Sequence, residues 1–120
     1  MSQTGESIIW AIKNGDLDQV KELVEQNCFN VNQAITTRSL IHYAADYGQA
    51  DVLRYLITKG ADVNILDKHG ISPILAAIWE GHSSCVRILL ENGAHKNGTT
   101  PDGASLLDAA EKQEIRDLLS

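Results

Sequence analysis

The residues with the most chemical potential in this chain are four histidines (His42, His69, His82, His95), two cysteines (Cys28, Cys85) and sixteen carboxylates. Histidine and cysteine together could hold zinc. No two histidines stand at i, i+4 on one predicted helix, however, and no cysteine sits at finger spacing from another ligand. There is no G-x-S-x-G elbow, no phosphate-cradling glycine loop and no Cys–His pairing. The sequence therefore predicts neither catalysis nor a metal nor a cofactor. The histidines read instead as parts of a scaffold. His42 closes the run Ser39-Leu40-Ile41-His42 at a helix start, where an imidazole can organise the turn by hydrogen bonds, and His82 follows Gly81 at the start of another helix. His69 and His95 fall in turns, where either could touch a partner. The carboxylates are spread over predicted helix surfaces, and their ordinary role there is solvation.

The elements that position these groups repeat. Gly60-Ala61-Asp62-Val63-Asn64 returns as Gly93-Ala94-His95-Lys96-Asn97, 33 residues on (93 − 60 = 33). Ser39 and Ser72 keep that interval, as do Gly15, Gly48 and Gly81. A 33-residue period made of a turn and two helices is the ankyrin-repeat signature, and a histidine in the position of His42 is typical of it. The expected fold is all-α: an ankyrin-repeat solenoid of about four units with short hairpin fingers, forming a single domain over residues 1–120. The units run approximately 1–31, 32–64, 65–97 and 98–120, the first and last acting as caps.

Local signals fill in the units. The first helix is expected over 7–14 and ends at Gly15; Asp16 and Asp18 favour the start of the next, whose stripe is Val20, Leu23 and Val24. Ser39 and Ser72 are N-caps, and Pro73 takes the first helical position. Val52, Leu53, Leu56 and Ile57 match Cys85, Val86, Leu89 and Leu90 on the outer helices, while Ala44-Ala45 and Ala76-Ala77 keep the inner helices thin for stacking. The last unit opens at Pro101-Asp102-Gly103, with an inner helix over 105–110. It lacks about four residues, since Ile115 matches Val86 at 29 instead of 33.

A net charge of −6 argues against nucleic acid as a partner and favours a basic protein surface. No apolar run is long enough for a membrane span, and residues 1–6 lack a secretion signal layout. Cys85 takes the place of Val52 and reads as a small buried hydrophobe, so a cytoplasmic monomer without disulfides is expected, with nuclear residence a further possibility.

A partner is expected on the concave face, which this architecture builds from finger tips and the inner-helix positions before the recurrent glycine. Those positions are Lys13 and Asn14, Asp46 and Tyr47, Trp79 and Glu80, and Lys112 and Gln113. Trp10, Tyr43 and Ala76 form a second row, and the fingers add residues 35–38, Asp67, Lys68, His69 and 100–102 with Asp102. Trp79 stands out because Asp46 and Lys112 hold its slot in the neighbouring units, so the fold does not require an indole there; it serves either an interface or partial burial against the next finger. Trp10 could equally be a lid over the core. Asp46, Glu80, Asp67 and Asp102 would give an acidic rim and salt-sensitive binding.

Several stretches resemble the myotrophin family of small ankyrin proteins: Trp10 through Asp18, His42 through Asp46, Asp67-Lys68-His69, Glu80-Gly81-His82, Ser84-Cys85-Val86 and Pro101-Asp102-Gly103 with the shortened tail 113–119. The resemblance runs over essentially the whole chain. It departs at residues 27–38, which lack the family's glycine-rich basic finger, and in a two-residue N-terminal extension. It implies binding to the actin capping protein (alpha/beta heterodimer), sequestering it from filament barbed ends; capping protein meets actin through basic residues, which suits an acidic competitor. It also implies a role with Rel/NF-κB-type factors. An inhibitory subunit of another enzyme is a third reading, since ankyrin scaffolds share a fold and differ in surface.

Overall fold

In the computed structural model, the described residues are 3–26, 30–32 and 38–120. Eight helices form among them: α1 (Gln3–Lys13), α2 (Leu17–Gln26), α3 (Leu40–Asp46), α4 (Ala50–Thr58), α5 (Pro73–Glu80), α6 (Ser83–Glu91), α7 (Leu106–Ala109) and α8 (Gln113–Leu119). The odd-numbered helices make an inner layer and the even-numbered ones an outer layer, each helix packing on its partner and on the same helix of the next unit. The expected first-finger residues 35–37 and Cys28 lie outside the described residues.

Capping residues explain where the helices start. Ser72 is extended (φ −86°, ψ 161°) and its hydroxyl accepts the Leu75 N–H at 3.3 Å, with Pro73 following where a missing N–H leaves no bond unmade. Ser105 does the same for Asp108 at 3.0 Å. At α3 the box is closed by histidine: the Ser39 N–H donates to His42 Nδ1 at 3.3 Å, and the Ser39 hydroxyl lies 3.1 Å from the same nitrogen. Since Nδ1 accepts, Nε2 carries the proton, and it donates to the Ile71 carbonyl of the next unit at 2.8 Å. Asp16 accepts the Gln19 N–H at the start of α2.

The apolar stripes face inward as the periodicity predicts. Leu40, Ile41, Leu53, Leu56, Ile74, Leu75 and Leu89 are wholly buried, each contributing roughly 1.5–3 kcal/mol relative to exposure. Ala44, Ala45 and Ala77 are equally buried, and the absence of bulk there lets α3 pack closely on α5. Cys85 is buried in this core, and burial pushes its thiol up to about 11. No buried side-chain nitrogen or oxygen among the described residues lacks a hydrogen-bond partner.

Two polar ladders hold the units in register. Along the turns, Asn32 donates to the Gly60 carbonyl at 3.0 Å and accepts the Asp62 N–H at 2.7 Å; Asn64 does the same with Gly93 at 3.1 Å and His95 at 3.0 Å. Along the helix ends, Gln49 Nε2 donates to the Lys13 carbonyl at 3.0 Å and His82 Nε2 to the Asp46 carbonyl at 3.0 Å. The second ladder gives the recurrent glycine a second reason to exist. A Cβ on Gly48 (φ +70°) would stand 2.6 Å from His82 Nδ1, whereas one on Gly60 (φ +92°) would meet nothing within 4 Å.

The structure modifies three local expectations. α1 begins at Gln3, a turn before the predicted residue 7. The fingers are tight turns more than ladders: Asp67 N–H to the Ile71 carbonyl at 3.0 Å closes one, and Thr100 N–H to the Ala104 carbonyl at 2.8 Å closes the next, with one isolated bridge at Thr99–Ser105. In the last unit α7 is a single turn over Leu106–Ala109, and Ala110 is already extended. The missing residues there are the final turn of an inner helix and its glycine, so Lys112 and Gln113 do not continue the concave row. Lys112 caps α8 and sends Nζ to the Gly81 carbonyl at 2.8 Å, while Arg116 satisfies the carbonyls of Leu107 at 3.0 Å and Ala110 at 3.2 Å.

Two outcomes follow. Burial, the largest influence, lowers the His42 pKa below its ordinary 6.5, partly offset by the Ile71 carbonyl and the charge of Asp67. The folded protein thus holds fewer protons than the unfolded chain below that pH, and stability is full above about 6.5 and lost as pH falls through the folded value. Urea unfolding at pH 7.5 and 5.5 should show this loss. His42→Gln should show a smaller loss, with a cost of about 1–3 kcal/mol already present at pH 7.5; an equal pH dependence in both would contradict it. Separately, Gly60→Ala should cost about 1–2 kcal/mol for its backbone alone, and Gly48→Ala should cost at least about 1 kcal/mol more, because it also displaces His82. Equal costs in thermal or urea melts would refute the second role.

Candidate functional site

The middle of the concave face is built by three elements. α3 supplies Asp46 at its last residue, α5 supplies Ala76 and Trp79, and the finger between α4 and α5 supplies Asp67, His69 and Ile71. With Arg38 they enclose a cleft of about 320 Å³. Ala76 is buried beneath it, and this small floor leaves the neighbouring Trp79 indole 50% exposed on the wall. A half-exposed indole over a concavity is the arrangement that concentrates binding energy at interfaces. Glu80 is exposed beside it.

The charges in the cleft are more internally engaged than the sequence suggests. Asp46 is paired with Arg38 (Nη1 to Oδ2, 3.4 Å), with side chains only 27% and 23% exposed. Arg38 also donates to the His42 carbonyl at 3.2 Å and lies 4.9 Å from the centre of the Tyr43 ring. Asp67 Oδ1 accepts the N–H groups of His69 at 2.8 Å and Ile71 at 2.9 Å, so this carboxylate shapes the finger itself. The finger tip leaves Lys68 and His69 exposed. In the next finger Thr100 replaces Asp67: its hydroxyl accepts the Ala104 N–H and donates to Asp102, a bond that holds the exposed Asp102 carboxyl below its ordinary value.

Toward the N-terminal end, Trp10 is 70% exposed and forms a second cleft of about 290 Å³ with Glu6, Ile9, Lys13 and Tyr43. Its indole is not a lid over the core. Tyr43, placed by the sequence in the concave row, keeps only 9% of its surface exposed and lies beneath Lys13 and Arg38. Lys13 also stands 5.5 Å from the ring of Tyr47, which is 44% exposed. Asn14 is exposed and turns its amide back to the Trp10 carbonyl at 2.8 Å. The structure therefore gathers Asp46, Asp67, His69 and Trp79 around one cleft and Trp10, Lys13 and Tyr43 around another. Tyr47, Lys68, Glu80 and Asp102 stand outside both.

Among the described residues, two exposed leucines escaped the sequence reading, Leu107 on the last inner helix and the more exposed Leu66. Leu66 is 63% exposed and borders a cleft of about 400 Å³ between successive fingers, with Asn64, His95 and Pro101. The same comparison that singled out Trp79 would have found it, since Thr99 holds the equivalent position one unit later. Among the described residues, no group of three or more His, Cys, Asp or Glu side chains could hold a metal, and no helix is long and apolar enough to cross a membrane.

Residues 8–100 match the family described as Ankyrin repeats (3 copies). Myotrophin of Xenopus tropicalis is 50% identical over 112 residues, covering 92% of this chain and 94% of that protein. An ankyrin repeat-containing protein of Schizosaccharomyces pombe is 39% identical over 80 residues, 67% of this chain and 39% of its own length. The human Inhibitor of Bruton tyrosine kinase is 29% identical over 108 residues, 88% of this chain but 8% of that protein. Against the human protein the likeness covers a small part of its length, whereas against myotrophin it covers more than nine-tenths of both chains. With its stacked helix pairs and exposed concave face, this chain is a protein-binding ankyrin module and belongs to the myotrophin family.

Proposed function

We propose that this protein binds the heterodimeric actin capping protein on its concave face and keeps it from filament barbed ends, so that filaments continue to grow. The observation that carries the reading is Trp79, half exposed over the central cleft in a slot that its neighbouring unit fills with Asp46. The scaffold does not need an indole there, which supports a role for it at an interface. End-to-end likeness to myotrophin supports the choice of partner. A net charge of −6, with Glu80 and Asp102 both exposed, supports a basic contact surface on that partner.

The mechanism is occlusion. The solenoid is 40 Å in its longest dimension, room for roughly 12 extended residues at about 3.3 Å each. A surface of that length laid over the basic, actin-contacting side of capping protein competes with the filament end by volume and by charge. Attraction between the acidic face and the basic patch speeds encounter, and the indole in its cleft slows release. The same reading makes this a cytoplasmic protein that acts as a monomer.

The test is a pyrene-actin elongation assay with capped seeds. Adding this protein should restore barbed-end growth, and failure to do so ends the proposal. Trp79→Ala should weaken capping-protein binding by about 2 kcal/mol, some thirty-fold, with the melting temperature unchanged. Glu80→Lys is a cleaner charge probe than a change at Asp46, which is tied to Arg38. It should slow association and flatten the salt dependence; wild-type behaviour in both variants would remove the concave face from the account.

A further inference from the structure

Arg38 has an unusual station for a residue on an acidic binding face. Its guanidinium lies over the Tyr43 ring at 4.9 Å, pairs with Asp46 at 3.4 Å and donates to the His42 carbonyl at 3.2 Å. An aromatic face, a carboxylate and a carbonyl edge are the features that recognise an incoming arginine or lysine. Here the chain fills that cradle itself, at the wall of the cleft that holds Trp79. The pair is only about one quarter exposed, so it is screened by water less than a surface pair would be.

We infer that Arg38 is a resident cation that sets which basic partners the central cleft accepts. It neutralises Asp46 and repels a second cation, while Trp79, Ile71 and Ala76 form the apolar part of a socket whose remaining carboxylate, Asp67, is tied to the amides of its own finger. The socket suits an apolar side chain of the partner, while the partner's basic residues are directed outward to exposed carboxylates such as Glu80. A segment that is merely rich in arginine is thereby discriminated against, because it must displace Arg38 to reach Asp46. Selectivity of this kind comes from a built-in repulsive element as well as from attraction. The inference rests on the reading that the concave face binds a basic protein, and it adds a specificity-determining residue to that reading.

A hexa-arginine peptide and the capping-protein heterodimer serve as separate probes, with binding measured by titration calorimetry at low salt on the full chain. Arg38→Gln should bind the peptide about five-fold more tightly than wild type, because Asp46 is released. Arg38→Lys keeps the charge and should stay within about two-fold of wild type. Asp46→Asn, which leaves Arg38 without its counter-ion, should weaken peptide binding about five-fold and supplies an independent arm should Arg38→Gln not fold. Unchanged or weaker peptide binding by folded Arg38→Gln overturns the inference, as does a gain in Arg38→Lys equal to that of Arg38→Gln or no loss in Asp46→Asn. If the peptide results are as expected but the heterodimer binds none of the proteins, the Arg38 assignment stands and the proposed partner falls.

Discussion

The hydrogen bond from His42 Nε2 to the Ile71 carbonyl is the interaction on which the concave face depends. One imidazole performs two tasks because its two nitrogens differ. Nδ1 accepts the Ser39 N–H and fixes where α3 begins; Nε2 donates across the unit boundary and fixes the finger that precedes α5. The finger is rigid in its own right, since Asp67 ties its amides, so anchoring Ile71 also places His69 and the cleft wall. No unit of this size could bury its apolar stripe alone, and stacking supplies the missing core. The polar ladders through Asn32, Asn64, Gln49 and His82 then select one register among the stackings that the apolar faces would allow.

This division of labour explains what the sequence revealed and what it hid. The period of 33, the Ser caps and the apolar stripes are local statements, and each survives as a helix start or a buried side chain. The glycines were legible only in part. Positive φ is a local property, but the approach of His82 to Gly48 is a contact between units 34 residues apart in the chain (82 − 48 = 34), and no window of sequence displays it. The last unit misled for a related reason. Counting from a shared glycine extends the inner helix to Lys112, whereas the deletion removes that very turn.

The site was legible at its aromatic positions and not at its charges. Trp79 is exposed because a large side chain replaces a polar one at a surface slot, and comparison between units detects such exceptions; Trp10, whose slot holds the buried Tyr43 and Ala76 in the next units, is exposed on the cap helix. Leu66 is the same kind of exception as Trp79 in a finger, a leucine where the next unit has Thr99. Asp46 and Tyr43 looked available because their partner, Arg38, precedes them by eight and five residues and reaches back over the helix start. A carboxylate count gives net charge and long-range attraction; it does not say which carboxylates are already spoken for. The face is therefore acidic in sum, mixed at its centre, and most open to a partner at its indoles.

The central claim is that Trp79 in its cleft is the anchor for capping protein, and fluorine NMR of this protein carrying fluorotryptophan at its two tryptophans, Trp10 and Trp79, tests it most directly. Adding one equivalent of the capping-protein heterodimer should shift or broaden the Trp79 resonance until it is lost from its free position. A Trp79 resonance that stays where it was in the presence of the heterodimer would contradict the account.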